Sequence, residues 1–179
     1  MSRIGKKPIP LPQGVKVEWD KVNLKVSGPL GKLSRDLSSR IILEVGAKEI
    51  QVKPQDDSRL SAAQWGLART LVDNMVTGVS AGFTRGLELV GTGYKVENRG
   101  KSLLFTLGYS HPIDFPLPAG ITAEVEKANR ITLKGIDKEE LGQLVANLRA
   151  LRPPDAYKGK GVRRMGEVIR KKVGKAAGR

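Results

Sequence analysis

The chain has no cysteine in its 179 residues, which excludes disulfide frameworks, thiolate metal sites and cysteine nucleophiles. It has one histidine, His111, set between Ser110 and Pro112 in a loop pattern. Without a second histidine or a cysteine, that residue lacks the partners of a metal site or a catalytic triad. Aromatic residues make up only 4% of the chain, too few for the stacked platform of a single-strand binder. No apolar run approaches the ~18 residues that cross a bilayer. The first residues are basic with no apolar stretch behind them, so no secretory signal is expected there. Pro8, Pro10 and Pro12 break the amphipathic helix that a transit peptide would need. The expected compartment is therefore the cytosol, or the interior of an organelle that makes the protein itself.

Acidic residues are also scarce: 18 Asp and Glu stand against 32 Lys and Arg, a net charge of +14. The excess is unevenly placed. Residues 1–16 carry Arg3, Lys6, Lys7 and Lys16 with no acid, and residues 152–179 carry ten basic groups against Asp155 and Glu167. The 135 residues between hold 18 basic and 16 acidic groups, only +2. This distribution describes a nearly neutral body with cationic ends suited to a polyanion. The hydrophobic content of 39% is enough for a real core.

Periodicity gives strands before a helix, twice. Val15, Val17 and Trp19, then Val22, Leu24 and Val26, alternate with polar residues, and Gly28-Pro29-Leu30-Gly31 turns the chain. Short extended pieces follow at Leu33, Leu37 and Ile41–Leu43, and Ile50 and Val52 form another strand. Asp56-Asp57-Ser58 caps a helix running to about Ser80, with Leu60, Ala63, Leu67, Leu71, Met75 and Val79 on the expected buried stripe. The second half repeats this through Leu87, Leu89, Tyr94, Val96, Leu103, Phe105, Leu107, Ile121, Val125, Ile131 and Leu133. Asp137 then caps a helix with Leu141, Leu144 or Val145, Leu148 and Leu151 on its apolar face, and Pro153-Pro154 stops it. At a shift of 81 residues Ala47–Leu67 aligns with Ala128–Leu148, matching Ile50 to Ile131, Lys53 to Lys134, Asp56 to Asp137, Leu60 to Leu141 and Leu67 to Leu148. An internal duplication follows.

The fold class is α+β: two tandem homologous units, each an antiparallel sheet with one packed helix. The expected boundaries are a basic N-terminal extension over 1–14, a first domain over 15–81, a second over 82–152, and a basic C-terminal segment over 153–179. Strand pairs should end at Lys53 and Lys134. The helices should begin at Asp57 or Ser58 and at Asp137 or Lys138. With three prolines and little apolar content, residues 1–13 should be dispensable for folding, and both ends should be poorly ordered without a partner.

Enzyme motifs are weak. Gly28-Pro-Leu-Gly31-Lys32 lacks the spacing and the Ser/Thr of a phosphate loop and lies between strands. Gly91-Thr-Gly93 has Val96 where a dinucleotide fingerprint needs its third glycine. Paired carboxylates fall at helix N-termini, where they serve caps and the helix dipole. No catalytic residue, cofactor, metal, membrane or small-molecule substrate is expected.

Residues 149–164 read RALRPPDAYKGKGVRR. Gly159 and Gly161 permit close backbone approach. Lys158 and Lys160 offer point charges to phosphate oxygens, Arg163 and Arg164 can fork onto phosphates or base edges, and Tyr157 can stack on an unpaired base or plug a core. The candidate nucleic-acid contacts are Arg152, Tyr157, Lys158, Gly159, Lys160, Gly161, Arg163, Arg164, Arg170, Lys171, Lys172 and Lys175, with Arg3, Lys6, Lys7 and His111.

The stretch Pro154–Val162 resembles the signature of the bacterial large-subunit ribosomal protein six family. Ser2–Ile9, Gly108–Pro112 and Gly135–Lys138 are similar to that family as well, and the resemblance is collinear over essentially the whole chain. One departure is Trp65, where many relatives carry histidine before the glycine. The resemblance implies a duplicated, non-catalytic protein of the large (50S) subunit that binds 23S rRNA near the base of the factor-binding stalk and the sarcin–ricin loop. It also implies neighbouring large-subunit proteins as partners. The placement would be cytoplasmic, or in the plastid stroma for an organelle-encoded member. The competing reading is a free nucleic-acid-binding regulator or RNA chaperone.

Overall fold

The computed structural model describes residues 2–46, 48–56, 58–127 and 129–175. It divides into two compact units: residues up to Phe83 with Ile136–Lys138, and Thr84–Gly135 with Glu139 onwards. No described helix is long and apolar enough to cross a membrane.

The first unit contains β1 (Ile9–Pro10), β2 (Lys16–Asp20), β3 (Asn23–Gly28), β4 (Gly31–Asp36), β5 (Ile41–Val45), β6 (Glu49–Pro54) and α1 (Arg59–Ser80). Two three-stranded antiparallel sheets form, in the orders β2-β3-β4 and β1-β6-β5. Period-two alternation sets the faces: Leu24 and Val26 of β3 are fully buried, while Lys25 between them is exposed. The Gly28–Gly31 turn is a hairpin end, not a phosphate loop. A Cβ on Gly28 would lie 2.6 Å from the Val79 carbonyl oxygen, so glycine lets the turn reach the last turn of α1. The Leu30 N–H donates to that same oxygen at 3.0 Å.

The start of α1 follows the expected cap chemistry, one residue late. The Ser58 hydroxyl accepts the Ser61 N–H at 3.2 Å, and Asp56 Oδ1 accepts the Ser58 N–H at 3.2 Å. The Ser58 hydroxyl also donates to Asp56 Oδ1 at 2.7 Å, and this bond first, then the Ser61 side chain and the Ser58 N–H, holds the Asp56 carboxyl below its ordinary value. Asp57 lies outside the described residues. The buried face differs from the stripe read in sequence. Leu60 and Leu67 are 60% and 58% exposed, whereas Ser61, Ala68, Val72, Met75, Val76 and Val79 are buried. Trp65 decides the phase: its indole Nε1 donates to the Val52 carbonyl at 2.6 Å, turning the 61–65–68–72 line toward the sheet. Small Ser61 and Ala68 let the helix approach closely there.

The segment expected as a basic extension over 1–14 contributes strand β1 to the body. Ile9 is fully buried and pairs with Ile50 in the β1–β6 ladder. Before it, a Cβ on Gly5 would stand 2.6 Å from the Trp65 ring. Arg69 Nε also donates to the Lys7 carbonyl at 3.3 Å.

The second unit contains β7 (Phe83–Val90) from Thr84 on, β8 (Lys95–Asn98), β9 (Ser102–Thr106), β10 (Ile113–Pro116), β11 (Ile121–Glu126), β12 (Arg130–Gly135), α2 (Lys138–Leu151) from Glu139 on, and β13 (Gly161–Arg164). One sheet has the order β10-β9-β8 and the other β11-β12-β7-β13. Leu141, Leu144, Val145 and Leu148 of α2 are buried, as their spacing requires. The C-terminal segment is likewise not a free extension. Val162 is fully buried, and β13 pairs antiparallel with β7 through Gly161–Val90 and Arg164–Leu87.

The duplication is clear in the strands. Ile50 and Ile131 are both fully buried, and Lys53–Glu44 and Lys134–Glu124 form matching cross-strand ion pairs, each at 2.6 Å. Strands β6 and β12 each run one residue past the aligned lysine, to Pro54 and Gly135. The helices break the alignment, since Leu60 and Leu67 face solvent while their matches Leu141 and Leu148 are buried.

Candidate nucleic-acid interface

In the second unit, packing brings together the loop after β7, the loop after β9 and the loop after α2. Gly91 and Gly108 leave room for the Tyr94 ring: a Cβ on either would stand 2.8 Å or 3.3 Å from it. Tyr109, next to Gly108, donates its hydroxyl to the Leu151 carbonyl at 3.0 Å. The Arg152 guanidinium lies over the Tyr109 ring, 4.7 Å from its centroid. His111 is exposed two residues further along the same loop.

The loop after α2 closes on its own backbone. Asp155 N–H donates to the Lys160 carbonyl and Gly159 N–H to the Asp155 carbonyl, both at 2.9 Å. Asp155 Oδ2 accepts the Lys158 N–H, also at 2.9 Å. That bond is the main reason the Asp155 carboxyl sits below its ordinary value. Val162 N–H donates to the Arg152 carbonyl at 2.8 Å, closing the base of the loop. Lys158 and Lys160 are thereby held exposed on a fixed backbone. Tyr157 is 57% exposed, which disposes of its reading as a core plug. The tail returns across the loop, Lys172 N–H donating to the Ala156 carbonyl at 2.8 Å and Lys171 Cε lying 3.4 Å from a Cβ built on Gly159. Arg170, Lys171, Lys172 and Lys175 are exposed along it.

Arg163 and Arg164, expected to fork onto phosphates or base edges, differ in their surroundings. Arg163 Nε donates to Glu88 of β7, so its charge is matched inside the unit, whereas the Arg164 side chain faces solvent. Arg3, Lys6 and Lys7 belong to the first unit. Among the described residues, no group of three or more His, Cys, Asp or Glu side chains could hold a metal ion.

Sequence reasoning missed the residues that fix this surface. Tyr94, Tyr109 and Asp155 position the loops, and Arg149 clamps the return of the chain through Glu167. Glu167 Oε1 accepts Arg149 Nη2 at 2.6 Å, and Oε2 accepts Arg149 Nε at 3.1 Å and the Arg164 N–H at 3.0 Å. Arg149 chiefly, then the Arg164 N–H, lowers the Glu167 carboxyl below its ordinary value of 4.5. A carboxyl lowered by folding stabilises the protein above its unfolded value and loses that contribution as pH falls through the folded one. Wild type should therefore melt above Glu167→Gln at neutral pH, with the gap closing below about pH 4. A gap that persists in acid would show that the carboxylate charge is not what the clamp uses.

A profile of the family described as Ribosomal protein L6 matches residues 11–82 and 90–164. Over 175 residues, 98% of each chain, the sequence is 55% identical to the large ribosomal subunit protein uL6 of Desulfatibacillum aliphaticivorans. It is 50% identical to that of Geobacter sulfurreducens and 49% to that of Gloeothece citriformis over the same lengths.

Proposed function

Because this chain belongs to the ribosomal protein L6 family, whose members are structural, non-catalytic constituents of the large ribosomal subunit, we propose that it binds 23S rRNA through the C-terminal part of its second unit. It braces the RNA near the base of the factor-binding stalk and the sarcin–ricin loop, in the cytoplasmic 50S particle and beside other large-subunit proteins. The observation that carries this reading is the closed loop from Asp155 to Lys160. It presents Lys158 and Lys160 on a backbone already fixed by its own hydrogen bonds, with Lys171 and Lys172 returning beside it. A preordered cationic loop gives up less conformational entropy on meeting phosphates than a free tail would. Point charges on lysine favour phosphate contact over base reading, so the contribution is positioning and neutralisation.

The Lys158→Ala, Lys160→Ala double variant should bind rRNA with a log affinity–log salt slope shallower by about 1.5, from the ~0.7–0.9 per phosphate contact measured on DNA. Its melting temperature should be unchanged. Tyr157→Ala should also melt like wild type, because the ring is exposed. If that ring stacks on a base, the variant should lose about 1–3 kcal/mol of RNA affinity with little change in slope. An unchanged slope in the lysine variant would mean that the phosphate-binding surface lies elsewhere.

A further inference from the structure

A cleft of about 570 Å³ opens between α2 and the chain after β13, lined by Ala146, Arg149, Arg164, Met165, Gly166 and Glu167. Its construction is specific. The bidentate Arg149–Glu167 pair forms a planar wall, and the Arg164 N–H fixes the carboxylate further. Three of the carboxylate's four or so acceptor positions are thus occupied, which leaves little for a metal ion. Met165 is 51% exposed yet held: its N–H donates to the Gly86 carbonyl at 3.0 Å, and its Sδ sits so close over Gly86 that a Cβ there would collide with it. A polarisable thioether therefore rests on bare strand backbone. Ala146 and Gly166 line the cleft without large side chains, and the Arg164 side chain is exposed beside them.

A small anion would use only Arg164, since Arg149 is already matched by Glu167, and would leave the thioether and alanine surface empty. An aliphatic ligand would leave the exposed Arg164 guanidinium unused. A planar heterocycle carrying a phosphate satisfies both, since bases stack on guanidinium planes and make favourable contacts with thioethers. We propose that this cleft seats one unstacked nucleotide of the bound RNA, its base on the Arg149–Glu167 plane beside Met165 and its phosphate on Arg164. The inference rests on the RNA-binding reading above and adds to it a single nucleotide held by its base.

The test uses the full chain and 23S rRNA carrying on average one abasic nucleotide per molecule, partitioned by binding and mapped. Ala146→Leu adds bulk to the lining with a good helix former, and Met165→Ala removes the thioether without crowding. Both are first checked for a wild-type melting temperature. At one rRNA position, base loss should weaken wild-type binding by about 5- to 100-fold, the range of one stacked base. The same loss should have little further effect on either variant. If 23S rRNA binds with its normal salt dependence and no position distinguishes wild type from both variants, the cleft holds no base and the inference falls alone. If 23S rRNA is not retained at all, the RNA-binding reading falls and takes the cleft with it.

Discussion

Ile9→Ala should lower the stability of the first unit by about 2–5 kcal/mol, the loss found when a fully buried isoleucine is truncated. Ile9 is 0% exposed, pairs with Ile50 and belongs to the core cluster that includes Leu24, Val26, Val72 and Val79. Deleting residues 2–10 should cost more, because it also removes β1 and the segment on which Arg69 and Trp65 rest. The contrast comes from α1. Leu60→Ala and Leu67→Ala change exposed side chains and should stay within about 0.5 kcal/mol of wild type. Denaturant melts of the four variants check this. A stable deletion variant, or a large loss at Leu67, would restore the sequence-based picture of a loose N-terminal extension and a leucine-faced helix.

Gly161→Ala should damage fold and RNA binding together. The new Cβ would lie 2.7 Å from the Pro153 carbonyl oxygen, 2.7 Å from Pro154 Cα and 2.8 Å from the Arg152 carbonyl oxygen. All three are backbone atoms, so no side chain can swing aside. The φ of +148° adds a backbone conformation that alanine rarely adopts. The cost should be about 1–3 kcal/mol from overpacking alone. Relief requires the base of the lysine loop to move, and RNA affinity should fall at least as far as in the double lysine variant. Gly174→Ala is the control, because a Cβ there would meet nothing within 4 Å. Thermal melts and filter binding on the same preparations separate the two effects. A Gly161→Ala protein that melts and binds like wild type would show that the loop base is not tightly packed.

Much of this fold is legible in sequence where a local pattern carries it. The period-two strands around Ile50 and Ile131, the Ser58 cap and the Leu141–Leu148 face of α2 all follow from spacing. What failed did so for identifiable reasons. Ile9 is one apolar residue among prolines and generates no period, so only its pairing with Ile50, 41 positions later, reveals it. The phase of α1 was ambiguous because leucines at 60 and 67 and small residues at 61 and 68 mark neighbouring faces. The Trp65–Val52 hydrogen bond chooses between them. At the candidate interface, the basic and glycine-rich run was visible as composition. The neutralisation of Arg163 by Glu88 was not, since the two are 75 positions apart in sequence. Tyr109 stood inside the stretch Gly108–Pro112 that carried the family resemblance, yet its role under Arg152 needed the fold. The Arg149–Glu167 wall joins a helix to the segment that returns past it, which no periodicity encodes.

The most direct test of an rRNA-bracing role is ultraviolet crosslinking of intact large subunits, followed by identification of the peptides joined to 23S rRNA. RNA-linked peptides should be concentrated in residues 149–175, with Tyr157, Lys158 and Lys160 among the linked positions. Recovery of the protein mainly outside large particles, or crosslinks confined to the first unit with none in 149–175, would contradict it.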